Sequence, residues 1–331
     1  MSGYIPPFTI TPRHLTLTAR IAELIGRYSA LNELNADLKL RRINRIRTIQ
    51  GSLAIEGNTL SLDQITAVLD GKTVIAPPVE LLEVRNAIKV YDIFSELNPF
   101  HEPNMLKAHT ILMAGLIDAP GNYRSGGAGV MAGTKVVHLA PPASRIHALM
   151  NDLFMWIKNA DIHPLITSAV FHYEFEFIHP FEDGNGRMGR LWQSLLLNEW
   201  NPLFANLPVE SLVFKHQQEY YHALNVSSQN ADSAPFIHFM LQIIHDALLE
   251  NNTPEVSHEV TPEVKRFISA INGEMSKHDI MLALELKDEK NFRERYLKPV
   301  INAGLCEMTR PDVPNSRLQK YRLTEIGRQL K

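Results

Sequence analysis

The chain has 331 residues, 45% of them hydrophobic, and a formal net charge of -3 at pH 7. This length exceeds one ordinary domain, so we expect two domains with full apolar cores. The nearly balanced charge excludes a protein that binds nucleic acid over its whole surface, and the single cysteine, Cys306, excludes an internal disulfide. No apolar run is long enough to span a bilayer and no secretory leader is evident, so we expect a cytoplasmic protein.

The first segment, residues 1–78, has the apolar spacing of helices between residues 13 and 69. Ser61 followed by Gln64 predicts a capping box, which opens a helix that ends at Gly71. The prolines at 77 and 78 mark a linker over residues 73–78. We therefore predict an N-terminal helical segment that is separate in sequence from the next one.

The second segment, residues 79–250, is predicted to be a helical domain with one small β element. The predicted helices cover 80–97, 103–117, 143–158, 163–178, 187–200, 210–224 and 234–249. Between the second and third of them lies a stretch rich in glycine and proline, with short β-prone runs at 130–139. That stretch predicts a β-hairpin whose turn contains Gly133.

A polar linker is expected at residues 251–262, and residues 263–331 have a different pattern. Helices are predicted at 263–271, 276–284 and 288–303, followed by strands at 305–309 and 318–323. Three helices followed by a hairpin is the plan of a winged helix-turn-helix.

One stretch in the helical domain reads His-Pro-Phe-Glu-Asp-Gly-Asn-Gly-Arg-Met-Gly-Arg, residues 179–190. Glycine accepts positive φ angles, so successive backbone N–H groups in such a turn can face one concavity and bind an anion. A helix is predicted to follow, and its N-terminal N–H groups favour the same anion. The stretch therefore predicts a phosphate site between two helices.

Charged side chains around this turn add chemistry to the phosphate site. Arg187 and Arg190 are three residues apart on the following helix, and two guanidinium groups suit a polyphosphate. His179 can accept a proton near neutral pH, and Asp183 is a carboxylate of the kind that binds Mg²⁺ together with phosphate oxygens. This combination favours phosphoryl or nucleotidyl transfer.

Simpler interpretations exist for each part of the stretch. A Gly-Asn-Gly sequence is usually a turn, a histidine after a helix is usually a cap, and Phe181 most simply anchors the loop. The presence of the glycine turn, the histidine and the charged side chains within one dozen residues is hard to explain by packing alone. His172, Glu176 and His179 could suggest zinc, but they lack two histidines four residues apart with a glutamate beside the first.

The stretch resembles the signature of the Fic (filamentation induced by cyclic AMP) family, His-Pro-Phe-x-(Asp/Glu)-Gly-Asn-Gly-Arg-x-x-Arg, at every fixed position. The resemblance implies a mainly α fold, a helical Fic core with a small β-hairpin flap, here followed by the winged helix. Fic proteins transfer AMP from ATP to a serine, threonine or tyrosine hydroxyl of a target protein. The implied acceptor is a protein partner or the chain itself.

The resemblance also assigns roles to residues. His179 would deprotonate the hydroxyl, and Asp183 would hold Mg²⁺ against the α- and β-phosphates. Arg187 would steady the β-phosphate region and Arg190 the γ-phosphate. The implied anion nest comprises Gly184, Asn185 and Gly186, with Asn185 also contacting phosphate. The implied adenosine pocket includes Tyr220 and Tyr221, and the target-docking flap includes Val136, Val137, His138 and Leu139.

An upstream run, Ser52-Leu53-Ala54-Ile55-Glu56-Gly57, is similar to the family's inhibitory pattern, (Ser/Thr)-x-x-x-Glu-(Gly/Asn). The resemblance implies that Glu56 pairs with Arg190 and so denies it to the γ-phosphate, while Ser52 supports the site one turn earlier. The alternative for Glu56 is a solvated acid at a helix end. In some family members the same glutamate helps water to remove AMP, so de-AMPylation stays open.

Partners of the C-terminal segment are less determined by the sequence. Its predicted third helix carries Lys290, Arg293, Arg295 and Lys298, and the wing loop between its predicted strands is followed by Arg317, Lys320 and Arg322. They suit a DNA backbone, although acidic residues interrupt them, and winged helices also dock proteins or form dimers. DNA and a second copy of the chain both stay open as partners. An ATP-sensing DNA-binding regulator without catalysis is the alternative, against which the intact base at His179 argues.

Overall fold

In a computed structural model the chain divides into two compact units, Met1–Leu249 and Glu250–Lys331. The structure describes residues 4–32, 38–132, 135–252, 262–302, 305–310, 316, 318–324 and 327–328. At 28–32, 38–40, 129–132, 135–138, 251–252, 262 and 302 it describes the backbone alone. Over the described residues, no helix is long and apolar enough to cross a membrane.

Helices make up most of the first unit, as predicted. They are α1 (Pro12–Asn32), α2 (Leu38–Ile55), α3 (Leu62–Leu69), α4 (Pro78–Asp92), α5 (Glu102–Leu112), α6 (Ile146–Asn159), α7 (Pro164–Ile178), α8 (Asn185–Trp200), α9 (Val209–Lys215), α10 (Gln217–Asn230) and α11 (Ala234–Asn252). The predicted capping box is confirmed, because the side chain of Ser61 accepts the N–H of Gln64, whose own side chain accepts the N–H of Ser61.

Helix α7 is the central helix of this unit. Its residues from Leu165 to Phe175 are all buried, and it packs against α6 and α8. A helix that is buried all round needs neighbours on every side, and its few polar side chains, such as Glu174, are buried with the apolar ones. Because α7 is fixed on every side, the residue that follows its last turn is also fixed.

The predicted β-hairpin is formed by β1 (Gly129–Ala132) and β2 (Lys135–Leu139). The two strands pair antiparallel, with Gly129 opposite Leu139 and an irregularity in register after Val130. The predicted turn residue Gly133 and its neighbour Thr134 lie outside the described residues.

Close packing of α2 against α9 depends on Gly51. A β-carbon at this position would lie 2.6 Å from the backbone nitrogen of Ser211 and 2.8 Å from the carbonyl oxygen of Glu210. The hydroxyl of Ser211 donates to the carbonyl of Arg47 at 2.9 Å and joins the same two helices. The absence of a side chain at Gly51 therefore sets the position of α2.

Gly51→Ala is expected to destabilise the first unit by about 1–3 kcal/mol, because its methyl group meets backbone atoms that cannot rotate away. Gly26→Ala is the matched control: a β-carbon at this α1 glycine would meet no described atom within 4 Å, so alanine should be neutral or stabilise by about 0.5–1 kcal/mol. Urea unfolding of both variants measures the difference. Equal stabilities would contradict the packing argument.

Near its N-terminus the chain is attached to the central helix by Tyr4, whose hydroxyl donates to Oε2 of Glu174 at 2.8 Å. Glu174 is 4% exposed. Burial raises its pKa from 4.5 to about 7, although the hydrogen bond from Tyr4 opposes the shift. The folded protein therefore retains this proton at pH values where the unfolded chain has released it.

A raised carboxyl pKa makes the free energy of unfolding fall as pH rises between about 4.5 and about 7. Glu174→Gln cannot titrate, so its stability relative to wild type should increase by an amount on the order of 2–3 kcal/mol from pH 4.5 to pH 8. Urea unfolding of both proteins across that range checks this. Parallel pH profiles would show that Glu174 titrates normally.

The second unit has the predicted winged-helix plan. Its elements are α12 (Pro262–Ala270), β3 (Met275–Ser276), α13 (Lys277–Ala283), α14 (Glu289–Phe292), α15 (Lys298–Asn302), β4 (Cys306–Met308) and β5 (Lys320–Leu323). The antiparallel sheet has the order β3-β5-β4. Its core is separate from that of the first unit and includes Phe267, Phe292 and Val300.

Several elements differ from the prediction. The helices expected at 80–97 and 103–117 end earlier, at Asp92 and Leu112. The single helix expected at 210–224 is interrupted at His216, where α9 ends and α10 begins. The helix expected at 288–303 contains a π turn, Arg293–Leu297, whose extra residue lets both Tyr296 and Leu297 face the core. Strand β3 was not predicted. Most of the expected linker and the predicted wing loop, with Arg317, lie outside the described residues.

Candidate active site

The dozen-residue motif forms the turn between α7 and α8. His179 follows α7 in the left-handed backbone region, with φ 50° and ψ 59°, and its N–H donates to the carbonyl of Phe175 at 2.9 Å. Helix α8 begins at Asn185, after Gly184 with φ 84°. The left-handed conformation costs a residue with a β-carbon about 1–2 kcal/mol, and such strain is concentrated at functional sites. The candidate base thus has a defined backbone conformation.

Phe181 and Asn185 close the turn from inside. Phe181 is fully buried. The side chain of Asn185 accepts the N–H of Phe181 and donates to its carbonyl, both at 2.9 Å. The amide oxygen of Asn185 and one of its two side-chain N–H groups are therefore used to close the turn.

His109, on α5, supports the same turn and was missed by the sequence analysis. Its ring stacks on Phe181 with centroids 3.7 Å apart. Nδ1 accepts the N–H of Gly121 at 2.8 Å, which leaves Nε2 to donate to the carbonyl of Asp183 at 3.0 Å. Burial lowers the pKa of His109, so we assign it as a neutral structural imidazole. No nearby motif in the sequence signals it.

Two glycines of the motif leave room for particular neighbours. A β-carbon at Gly184 would lie 2.7 Å from Sδ of Met113, and its positive φ also favours glycine. At Gly186 a β-carbon would collide with Oε1 of Glu56. The carboxylate of Glu56 therefore lies against the first turn of α8, at the predicted anion nest.

Arg187 is held between two carboxylates. Its guanidinium contacts Oε1 of Glu83 at 3.0 Å and Oδ2 of Asp183 at 3.1 Å, and its side chain is only 5% exposed. The other oxygen of Glu83 accepts from Nδ2 of Asn58 at 2.9 Å. Glu83 and Asn58 were not singled out by the sequence analysis, because their link to the motif is purely three-dimensional.

Arg190 contacts both predicted inhibitory residues. Its NH2 group lies 2.6 Å from Oε1 of Glu56 and 3.0 Å from the carbonyl oxygen of Ser52, and its Nε donates to Oγ of Ser52 at 3.3 Å. Burial lowers the pKa of Arg190, but the charge and hydrogen bond of Glu56 outweigh it and raise the pKa overall. The guanidinium is thus charged, and its Nε and NH2 groups are engaged.

Asp183 fits the role of a single protein ligand to magnesium. Its side chain is 59% exposed, next to the N-terminus of α8, and Oδ1 accepts the N–H of Gly184 at 2.6 Å. Mg²⁺ commonly takes one or two carboxylates together with phosphate oxygens and water. An exposed carboxylate beside a predicted phosphate site suits that mode of binding, and here its two oxygens contact Arg187 and the N–H of Gly184.

The two tyrosines of the predicted adenosine pocket lie in different environments. Tyr220 is 1% exposed, and its hydroxyl lies 3.1 Å from Nε2 of His172, whose Nδ1 contacts Oε1 of Gln193 at 2.5 Å. These contacts place Tyr220 in the core and occupy both ring nitrogens that a zinc site would need. Tyr221 is 44% exposed, so it is the tyrosine that can line a pocket.

Of the flap residues, Leu139 is 79% exposed. Strand β2 includes Val136, Val137 and His138, whose side chains lie outside the described part of the structure. The backbone of β2 pairs with β1 on one edge. A target chain would add to a free edge of the hairpin by main-chain hydrogen bonds.

Acidic residues neutralise much of the basic surface predicted for the second unit. Arg295 pairs with Glu263, Lys298 contacts Glu294 at 2.8 Å, and Arg322 contacts Glu307 at 2.6 Å. Basic groups engaged in this way contribute less to binding a DNA backbone. The structure therefore weakens the argument for DNA as a partner.

Two protein-family models match the chain. The Fic/DOC family matches residues 99–197, which include the whole motif, and the C-terminal domain of Fic-like proteins matches residues 262–324. Among curated relatives, the protein adenylyltransferases Fic of Nematostella vectensis and Aedes aegypti are 29% and 26% identical over 65% and 82% of this chain. The chain spans 52% and 60% of the lengths of these two relatives.

Solved structures are also similar to this chain. A Fic family protein from Desulfovibrio desulfuricans is 51% identical, with a TM-score of 0.74, over 97% of this chain and 99% of that one. A Fic domain protein from Bacteroides thetaiotaomicron, 22% identical with a TM-score of 0.59 over 70% of this chain and 94% of that one, shares the fold. With the motif at the junction of α7 and α8, this similarity over nearly the full length shows that the chain belongs to the Fic family.

Proposed function

We propose that this protein is an adenylyltransferase that moves AMP from ATP to a serine, threonine or tyrosine hydroxyl of a protein, itself included. The observation that carries the proposal is the convergence of His179, the N-terminus of α8 and two buried arginines on one turn. The curated relatives are named as protein adenylyltransferases, which supports the same reaction.

The geometry supports a single displacement at the α-phosphorus. His179 takes the proton of the acceptor hydroxyl, the hydroxyl oxygen bonds to the α-phosphorus, and the bond from that phosphorus to the α,β-bridging oxygen breaks. Pyrophosphate leaves with the bonding electrons. Backbone N–H groups at the start of α8 and the guanidinium of Arg187 stabilise phosphate charge. Magnesium, bound through Asp183, would neutralise further charge on the phosphates.

We further propose that the observed arrangement is an inhibited one. The γ-phosphate needs Arg190, but Glu56 occupies its NH2 group at 2.6 Å. The carboxylate of Glu56 also lies against Gly186, where its negative charge repels an incoming phosphate. ATP can then bind only with its γ-phosphate displaced, which misaligns the α-phosphorus for attack.

The test is to incubate purified Glu56→Gly protein with Mg²⁺ and ATP labelled on the α-phosphate, with γ-labelled ATP in a parallel reaction. Label on protein from α-labelled ATP alone, and a mass gain equal to AMP, are expected. Label from the γ-phosphate would indicate a kinase, and no label from either would reject nucleotidyl transfer to the chain itself.

De-AMPylation is the second candidate, and the position of Glu56 favours it specifically. Its side chain is 32% exposed and lies at the mouth of the phosphate site, where a carboxylate could orient water towards the α-phosphorus. Wild-type protein would then remove AMP from previously modified Glu56→Gly protein, and Glu56→Gly protein would not.

A further inference from the structure

A buried arginine outside the motif connects the flap to the end of α7. Arg124 is 8% exposed. Its Nε donates to the carbonyl of His179 at 2.7 Å and its NH2 to the carbonyl of Ile178 at 3.3 Å. Ile178 is the last residue of α7 and His179 is its C-cap, and carbonyls at the end of a helix lack an N–H partner within the helix. A guanidinium at a helix C-terminus also complements the negative end of the helix dipole.

The same side chain binds both ends of the hairpin. NH1 donates to the carbonyl of Gly126, three residues before β1, and NH2 to the carbonyl of Pro141, two residues after β2, both at 2.7 Å. The hairpin is closed next to these points by the N–H of Ala140, which donates to the carbonyl of Ala128 at 3.1 Å. Arg124 thus joins the two roots of the flap to the backbone of the candidate base.

Only arginine can make this set of bonds. The guanidinium offers five N–H donors in one rigid plane, whereas the lysine ammonium is a single point with three donors. The backbone N–H of Arg124 adds a bond to the carbonyl of Pro180 at 2.9 Å. This network holds His179 in the left-handed conformation that its β-carbon disfavours.

We propose that Arg124 is a positioning residue for group transfer, which sets the imidazole of His179 in register with a hydroxyl presented by a chain bound to the flap. This inference rests on the proposed function. The four hydrogen bonds described above for the guanidinium of Arg124 go to the flap and to the end of α7, and none of them involves α8, Glu56 or Glu83. Its loss should therefore slow the transfer step and leave ATP binding intact.

The experiment compares Glu56→Gly protein with the same protein carrying Arg124→Lys. Displacement of a catalytic group by about 1 Å can cost on the order of 100-fold in rate, so we expect kcat for AMP transfer to fall by about 10- to 100-fold. The KM for ATP should stay within about twofold, because the phosphate-binding groups are untouched. Arg266→Lys is the matched control, since Arg266 also donates to a backbone carbonyl, that of Leu284 at 3.1 Å, but in the second unit.

A second measurement does not depend on activity. The NMR signal of Cε1 of His179 in ¹³C-labelled protein is assigned by its absence in His179→Asn. Its chemical shift should change in Arg124→Lys and stay unchanged in Arg266→Lys. Thermal unfolding is recorded for every variant. The kcat of Arg124→Gln for AMP transfer should be lower than that of Arg124→Lys, because glutamine has a shorter side chain and no charge.

The outcomes separate the inference from the proposed function. If Glu56→Gly protein transfers no AMP, the proposed function fails, while the histidine signal still tests whether Arg124 positions the ring. If that protein is active and Arg124→Lys keeps its full kcat and an unshifted signal, the inference is overturned. It is also overturned if kcat and ATP affinity fall together, or if neither Arg124 variant folds, because the role is then structural.

Discussion

His179→Ala is expected to lower AMP transfer by about 100- to 10,000-fold, the usual contribution of a positioned general base. The physical reason is that a neutral hydroxyl is a poor nucleophile and no other titratable side chain is assigned to its proton. The variant is best made in Glu56→Gly protein, so that the inhibitory pair does not mask the effect. Transfer of label from α-labelled ATP to protein measures it.

Binding of ATP to His179→Ala should be close to that of its parent, because Arg187, Arg190 and the N-terminus of α8 are unchanged. Isothermal titration with a non-hydrolysable ATP analogue and Mg²⁺ checks this separately. His278→Ala is the control, since His278 is an exposed residue of the second unit. Residual transfer above a few per cent of the parent rate would assign the proton to another group.

The features that the sequence predicted well are those set by local chemistry. The glycines of the motif and the left-handed His179 form the turn after α7. The capping box of Ser61 and Gln64 begins α3 at the residue that the spacing of the two side chains predicts. Periodicity located α7 because its apolar run is long, and the winged helix followed from the order of its short elements. In each case the deciding interactions lie within a few residues of one another.

Features that depend on distant contacts were not predicted. The break at His216 occurs where α9 packs against Gly51 of α2 and α10 turns its Tyr220 towards α7. A periodic pattern that continues across both helices cannot reveal such a break. Tertiary packing commonly overrides the local preference in this way.

The motif itself identified charged groups but not the residues that support them. His109, Glu83 and Arg124 are each far from the motif in sequence, yet each bonds directly to one of its residues. A buried histidine and a buried arginine carry no sequence signature that separates them from surface ones. The side chain of Asn185 has a further role that the motif does not reveal, because it closes the turn through two bonds to Phe181.

Glu56→Gly is expected to raise AMP transfer by about 10- to 100-fold. A hydrogen bond to a charged group contributes about 1.5–3 kcal/mol, and about 1.4 kcal/mol corresponds to a factor of ten. Removing Glu56 makes that free energy available to the γ-phosphate, which then takes the vacated side of Arg190. The protein should remain folded, because Arg190 keeps both of its bonds to Ser52.

Glu56→Gln removes the charge of the carboxylate and keeps the size of the side chain, so it separates the two contributions to inhibition. Its amide oxygen can still accept from Arg190, but it does not repel phosphate, so its rate should lie between those of wild type and Glu56→Gly. Rates at varied ATP concentration distinguish the causes: relief of inhibition should raise kcat more than it lowers the KM for ATP, because the misplaced pose binds nucleotide without reacting. If the three proteins react equally, the contact of Glu56 with Arg190 is a structural ion pair, and control of this site lies elsewhere in the molecule.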